Sequence, residues 1–260
     1  MNLDRFEVIK FVEGAFTVNA IVNDKKEKRT LSLVTVYGPA HEEGRENILA
    51  ELAQICSTNV YPMILGGDFN ILRFSSEKNK SFSGNKSTDH FNWIINTHEL
   101  RDLPLVGGMY TWSNNQQDPT LERLDRILIL ESWESLFPLS SLRKLPRELS
   151  DHNPLLLCTD QNKDKKPKAF CFETSWFRHQ DFIPKVSEIW KEKVVGKNAV
   201  DKWCIKINRV KKFLKGWGLS LIGHTKKYKK YLKEELAALE KMEEENPLPA
   251  HLLERKTFIL

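Results

Sequence analysis

No stretch of this 260-residue chain is apolar for long enough to cross a bilayer. Its first ten residues mix charged and apolar side chains and do not read as a secretory signal. Cysteine is scarce. Cys56, Cys158, Cys171 and Cys204 lie far apart without metal-ligand spacing, which argues against a disulfide framework or a zinc module and for reduced thiols in an intracellular protein. Without a secretory signal, the glycosylation pattern at Asn79-Lys80-Ser81 and Asn85-Lys86-Ser87 carries little weight. Internal repeats are absent as well. Basic character is missing from the first part of the chain: residues 1–158 hold 17 Lys and Arg against 21 Asp and Glu, whereas residues 159–260 hold 23 against 14. Bulk charge therefore does not favour nucleic acid in the first part, where binding would need local basic residues or metal ions.

What is present is enough for a core, since 40% of the residues are hydrophobic and 29% charged. Alternation over residues 15–22 and 29–37, separated by Asn23-Asp24-Lys25-Lys26, predicts a hairpin. Ile48, Leu49, Leu52 and Ile55 make one stripe of a helix over 42–56. Residues 61–66 read as a buried strand ending near Asp68, and Ser87 as the cap of a helix carrying Phe91, Ile94 and Ile95. Further strands are expected at 109–112, 121–130, 139–142 and 154–158, with a short helix at Trp133. Strands with interspersed helices imply an α/β (α+β) sandwich. The charged, apolar-poor Gln161–Lys168 suggests a boundary, giving domains 1–160 and 161–260. Beyond it, apolar residues from Trp203 through Leu221 to Met242 recur at helical spacing. Gly216, Gly218 and Gly223 interrupt them, which predicts two helices or a kinked one.

Four short patterns carry the chemistry: Val36-Tyr37-Gly38, Gly66-Gly67-Asp68-Phe69-Asn70, Arg123-Leu124-Asp125-Arg126 and Ser150-Asp151-His152. Cleaving a phosphodiester requires an aligned water and neutralisation of charge on the phosphate, which a carboxylate-held Mg²⁺ supplies. Asp68, past a buried strand, is placed to orient or deprotonate water, with Asn70 beside it; the same residues are also good turn chemistry. Asp125, flanked by Leu124 and Ile127, needs a partner. That partner is His152, or else Arg123 or Arg126 in a surface ion pair. Asp151 is a candidate metal ligand and Tyr37 a candidate phosphate donor. Arg73, Lys78, Trp112 and Arg123 are candidate nucleic-acid contacts. The bland alternatives are a solvated loop for the basic residues and a core position for Tyr37 and Trp112.

Taken in this order, the four patterns resemble the endonuclease/exonuclease/phosphatase superfamily, relatives of DNase I and the apurinic/apyrimidinic endonucleases. Gly107-Gly108-Met109-Tyr110-Thr111-Trp112-Ser113-Asn114, Leu121–Leu128 and Ser150–Leu155 are similar to the endonuclease domain of plant LINE-type (non-LTR) retrotransposons. Residues 170–176, and on to Trp217, resemble the linker toward their reverse transcriptase. The resemblance covers nearly the whole chain and implies a four-layer αββα sandwich of the DNase I-like type, followed by a mostly helical extension. It also implies Mg²⁺-dependent nicking of DNA (Mn²⁺ is an alternative ion), nuclear action, Asp125 as partner of a catalytic His152, and Asp68 and Asp151 at the metal. The family's N-terminal Asn and Glu motifs have no counterpart here, since Glu7 and Glu13 lack that context. The expectation is therefore a chain that begins after both motifs, lacks the first strands and the reverse transcriptase, and has impaired activity. A non-catalytic module binding DNA or RNA through Lys211, Lys212, Lys215, Lys226, Lys227, Lys229 and Lys230 is the alternative, and a phosphoester phosphatase a third reading. Oligomeric state is left open.

Overall fold

A strand with no clean alternation comes first. In the computed structural model, β1 (Phe6–Glu13) pairs antiparallel with β2 (Thr17–Asp24). An irregularity of register between Val8 and Lys10 breaks the two-residue period that would have announced the strand. The structure describes residues 4–148, 150–159 and 170–260, the side chains of 219–222, 224 and 225 excepted. The charged stretch Gln161–Lys168 and the side chains of Leu221 and His224 lie outside the described residues.

β2 and β3 (Arg29–Tyr37) form the expected hairpin, with Thr17 opposite Val36 and Asp24 opposite Arg29. The turn sits at residues 25–28 instead of 23–26. Asp24 stays in the strand because its carboxylate accepts from Arg5 Nη2 at 2.7 Å and from the Lys26 and Glu27 amides, which makes it the brace of the turn. A 3₁₀ turn at Glu42–Gly44 leads into α1 (Arg45–Thr58), whose Ile48, Leu49 and Leu52 are buried. Then come β4 (Met63–Asp68) and α2 (Lys86–Thr97). The cap of α2 is Asn85, whose side chain accepts from the Thr88 amide at 3.0 Å; Ser87, the expected cap, lies inside the helix.

The remaining elements of this part are short. They are β5 (Arg101–Asp102), β6 (Leu105–Val106), β7 (Trp112–Ser113), β8 (Leu121–Glu122), β9 (Asp125–Ile129), α3 (Glu131–Leu136), β10 (Ser141–Lys144) and β11 (Leu155–Cys158). Residues 121–130, expected as one strand, divide because Arg123 N turns to Glu77 O and Leu124 N to Thr111 Oγ1, outside any ladder. Six strands form one sheet in the order β1-β2-β3-β4-β9-β5, and three form another, β11-β10-β6.

The chain is thus α/β. One core joins α1 and α2 to one face of the large sheet through Val34, Val36, Ile48, Leu52, Leu65, Phe91 and Ile94. The other joins Val22, Leu31, Ile64 and Ile129 of the large sheet to Leu142 of the small one. Each fully buried Leu, Ile or Phe contributes about 1.5–3 kcal/mol relative to exposure. The result is a helical layer over two stacked sheets. The outer face of the second sheet stays open among the described residues, since Ser141, Arg143 and Leu156 are exposed.

Two compact units are distinguishable: residues 1–162 with 234–260, and residues 163–233. The second unit has a small aromatic core of Trp176, Phe182 and Leu214, helped by Phe170, Phe213 and Trp217. It holds α4 (Phe182–Lys191) and the first part of α5. In place of two separate helices, α5 is one 47-residue helix, Ala199–Glu245. Its glycines are spaced through the helix, and a Cβ at Gly218 would crowd the Trp176 ring, so that glycine serves packing and not chain reversal. α6 (Ala250–Ile259) belongs to the first unit.

Candidate active site

Two strands deliver the acids. β3 and β4 run parallel with Tyr37 opposite Asp68, and β4 and β9 run antiparallel with Asp68 opposite Asp125. The approach is close: Gly67 has φ +147°, and a Cβ there would collide with the Val36 carbonyl. Just past the strand, Asn70 adopts φ +52°. That conformation lets its backbone amide donate to Asp68 Oδ1 (3.0 Å), while Nδ2 donates to Asp68 Oδ2 (2.7 Å) and to Gly38 O (2.9 Å). The turn and site readings of this motif are therefore one arrangement: the turn clamps the carboxylate.

The His152 loop is held to β7. Ser113 N donates to Asp151 O, Asn153 N to Thr111 O at 2.7 Å, and Trp112 pairs with His152 in an isolated bridge. Thr111, fully buried, accepts through Oγ1 from the amides of Leu124 (3.0 Å) and Asp125 (2.9 Å). It thereby ties the same strip of backbone to Asp125. His152 Nδ1 meets Asp125 Oδ2 at 2.8 Å, and its Nε2 lies 3.9 Å from Asp68 Oδ2. A carboxylate can only accept, so Nδ1 carries the proton and Nε2 faces Asp68. The gap of 3.9 Å exceeds a hydrogen bond, yet a single oxygen between the two groups can reach both.

Electrostatics separate the roles. The Asp125 hydrogen bond raises the His152 pKa above its ordinary value, against a smaller opposing effect of burial. Burial and then the neighbouring Asp125 charge raise that of Asp68. Trp112 Nε1, donating at 2.9 Å, lowers that of Asp151. Asp125 thus favours the charged form of the imidazole, and burial beside Asp125 makes the Asp68 carboxylate a better proton acceptor. One ligand atom each from Asp68, Asp125 and His152 lies within 4.8 Å of the others, a cluster able to hold a metal ion.

Asp151, expected at the metal, is exposed, bonded to Trp112, and outside that cluster. Tyr37 is 74% exposed beside Asp68 in register, available to a ligand and not part of a core. The site opens into a groove of about 410 Å³ lined by Gly67, Asp125, His152 and Asn153. A cavity of about 600 Å³ between β1, β2 and α1 has no such constellation; its Glu51 carboxylate is bound to the Ala15 and Phe16 amides and the Thr17 hydroxyl.

Three of the expected nucleic-acid contacts have internal partners instead. Arg73 Nη1 pairs with Asp102 at 3.0 Å, Arg123 Nη2 with Asp102 at 2.9 Å, and Lys78 with Glu122 at 2.6 Å. The ion pairs once open to Asp125 go elsewhere too. Arg126, with no exposed surface, bonds Glu77 at 3.0 and 2.9 Å and Asp102 at 2.8 Å. Strand alternation puts Asp125 and Arg126 on opposite faces. Thr111 and Asn153 are the supports that motif reading passed over, although both stand inside runs singled out for their pattern.

No protein-family model and no curated protein matches the chain. Among solved structures, the endonuclease domain of TRAS1, a telomere-specific non-LTR retrotransposon, is similar over 57% of this chain and 67% of its own, at 16% identity and a TM-score of 0.46. An endonuclease/exonuclease/phosphatase family protein from Bacteroides thetaiotaomicron is similar over 59% and 66%, at 14% identity and a TM-score of 0.37. D. rerio TDP2, in a complex with single-strand DNA product, is similar over 60% of this chain and 68% of its own, at 16% identity and a TM-score of 0.40. Among the described residues, no helix is long and apolar enough to cross a membrane.

Proposed function

We propose that the chain carries the active site of a Mg²⁺-dependent phosphodiester hydrolase of the retrotransposon-endonuclease type, acting on DNA. The observation that carries this reading is the His152–Asp125 contact of 2.8 Å facing Asp68 across 3.9 Å. In it, Asn70 holds Asp68, and Asp68 orients an attacking water and takes its proton. His152, oriented by Asp125 through Nδ1, donates in its charged form from Nε2 to the phosphate or leaving oxygen, and Tyr37 contacts the phosphate. Mg²⁺ is held by one or two carboxylates together with water and substrate phosphate oxygens. Asp68 and Asp125 fit that donor set; His152, bound to Asp125, is not needed as a ligand. When bound, the ion (Mg²⁺ or Mn²⁺) supplies charge neutralisation at the phosphate. Among the described residues no glutamate joins the cluster.

The test is nicking of supercoiled plasmid in Mg²⁺ beside EDTA and a His152→Ala variant. Nicking abolished by both controls supports the reading. No nicking from a folded preparation overturns it, and phosphate release from an inositol phosphate would transfer the site to phosphatase chemistry. A second reading, non-catalytic binding of DNA or RNA backbone, is favoured by the exposed Lys211, Lys212, Lys215, Lys226 and Lys227 on α5. Steeply salt-dependent binding that weakens when these lysines become glutamine would support it.

A further inference from the structure

The last turns of α5 carry three glutamates on one face, and all three grip loops that hold the site. Glu240 Oε2 accepts from Asn153 Nδ2 at 2.9 Å, and its Oε1 accepts from Arg147 N (3.1 Å) and Nε (3.0 Å). Glu243 receives Lys256 Nζ at 2.7 Å and Arg147 Nη2 at 3.4 Å. Glu244 accepts from the Met109 amide at 2.7 Å and Lys144 Nζ at 2.5 Å. Spacing of three and four residues aligns them along the helix. Glu240, Glu243, Arg147, Lys256 and Asn153 are all buried.

Buried ion pairs are a poor source of stability, because desolvation consumes most of their attraction and apolar residues of like volume do as well or better. What they provide is direction. Asn153 is the residue after His152, and its Nδ2 also donates to Leu145 O while its amide donates to Thr111 O. Thr111 in turn holds the Asp125 amide. One chain of hydrogen bonds therefore runs from Glu240 through Asn153, the covalent neighbour of His152, and Thr111 to the backbone amide of Asp125.

We propose that Glu240 is a positioning residue for the active site, so that the end of the long helix is part of the catalytic apparatus and not only a connection to α6. This rests on the proposed function above. Glu240 itself touches no substrate; it fixes the loop that presents His152.

The test uses the full chain with ¹⁵N-labelled tryptophan. The Trp112 indole N–H, assigned by its loss in Trp112→Phe, reports the bond to Asp151 on the same loop. Glu240→Gln should shift or broaden that signal and lower kcat for nicking by about tenfold with KM unchanged, as small misplacements of a catalytic group do. Glu240→Asp, which keeps the charge and shortens the reach, should displace the same signal in a chain that retains its ion pairs, should Glu240→Gln fail to fold. Arg5→Met, which breaks the ion pair with Asp24 at the β2–β3 turn, should lower the melting temperature yet leave the Trp112 signal and kcat unchanged. The proposal is overturned if the Glu240 variants leave the signal in place, or if Arg5→Met moves it equally. If the parent does not nick, the catalytic reading fails while the indole signal still decides whether Glu240 holds the loop.

Discussion

β9 and β1 belong to one sheet and share almost no physics. β9 has a partner on each side, and Arg126, Leu128 and Ile129 on it are buried. β1 has a partner on one side only among the described residues, and its Val8, Ile9, Phe11 and Val12 are all more than 40% exposed. A strand locked on both edges and both faces has one register and can aim a carboxylate to within a fraction of an ångström. An edge strand with exposed apolar residues aims nothing, and offers an open ladder to other chains. Asp68 lies on β4, paired with a strand on each edge, and Asp125 on β9 is paired with β4 there and held at its amide by Thr111 Oγ1, which fixes both carboxylates.

The largest expected effect comes from breaking the central strand's anchor. Arg126→Ala leaves Glu77 and Asp102 buried with one cation fewer, and should cost about 3–5 kcal/mol in urea unfolding. Leu52→Ala, in the helix layer over the same sheet, should cost about 2–5 kcal/mol by the same measurement. Third is the His152–Asp125 pair, worth about 1 kcal/mol at a half-exposed site. Because the folded-state pKa of His152 is raised, its contribution is fully present below the unfolded value of about 6.5 and is lost as pH rises through the folded value. The stability difference between the parent and Asp125→Asn should therefore be largest in acid and vanish on the alkaline side in a pH series of melts. The smallest effect is at the edge: Phe11→Thr should change unfolding free energy by less than about 0.5 kcal/mol. It should nonetheless reduce concentration-dependent light scattering, and a loss as large as that of Leu52→Ala would erase the contrast between edge and centre.

Several features were legible in the residues because they are local. Alternation marked the hairpin, the Ile48-Leu49-Leu52 stripe marked α1, and a buried run ending in Gly-Gly-Asp marked where a strand stops and a side chain emerges. The Asp125–His152 pairing was also within reach, since a carboxylate between Leu124 and Ile127 must find a partner and a histidine is the partner with chemical use. β1 was hidden by its register irregularity. The single long α5 was hidden because three glycines weaken a helix in isolation, while packing such as that of Gly218 on Trp176 makes one useful.

Charge partners were beyond reach for a different reason. Arg73, Lys78 and Arg123 have the composition of a phosphate-binding loop, but which anion a cation meets depends on residues tens of positions away, here Asp102 and Glu122. The same holds for Glu240 and Asn153, 87 residues apart in sequence and 2.9 Å apart in space. Residue type and spacing set which elements form and which groups have reactive chemistry, because backbone propensity and periodicity act over a few residues. Folding alone assigned each charge its neighbour, made a clamp of Asn70 and brought the end of α5 to the His152 loop, because Coulombic and hydrogen-bonding energies depend on distance in space and not along the chain.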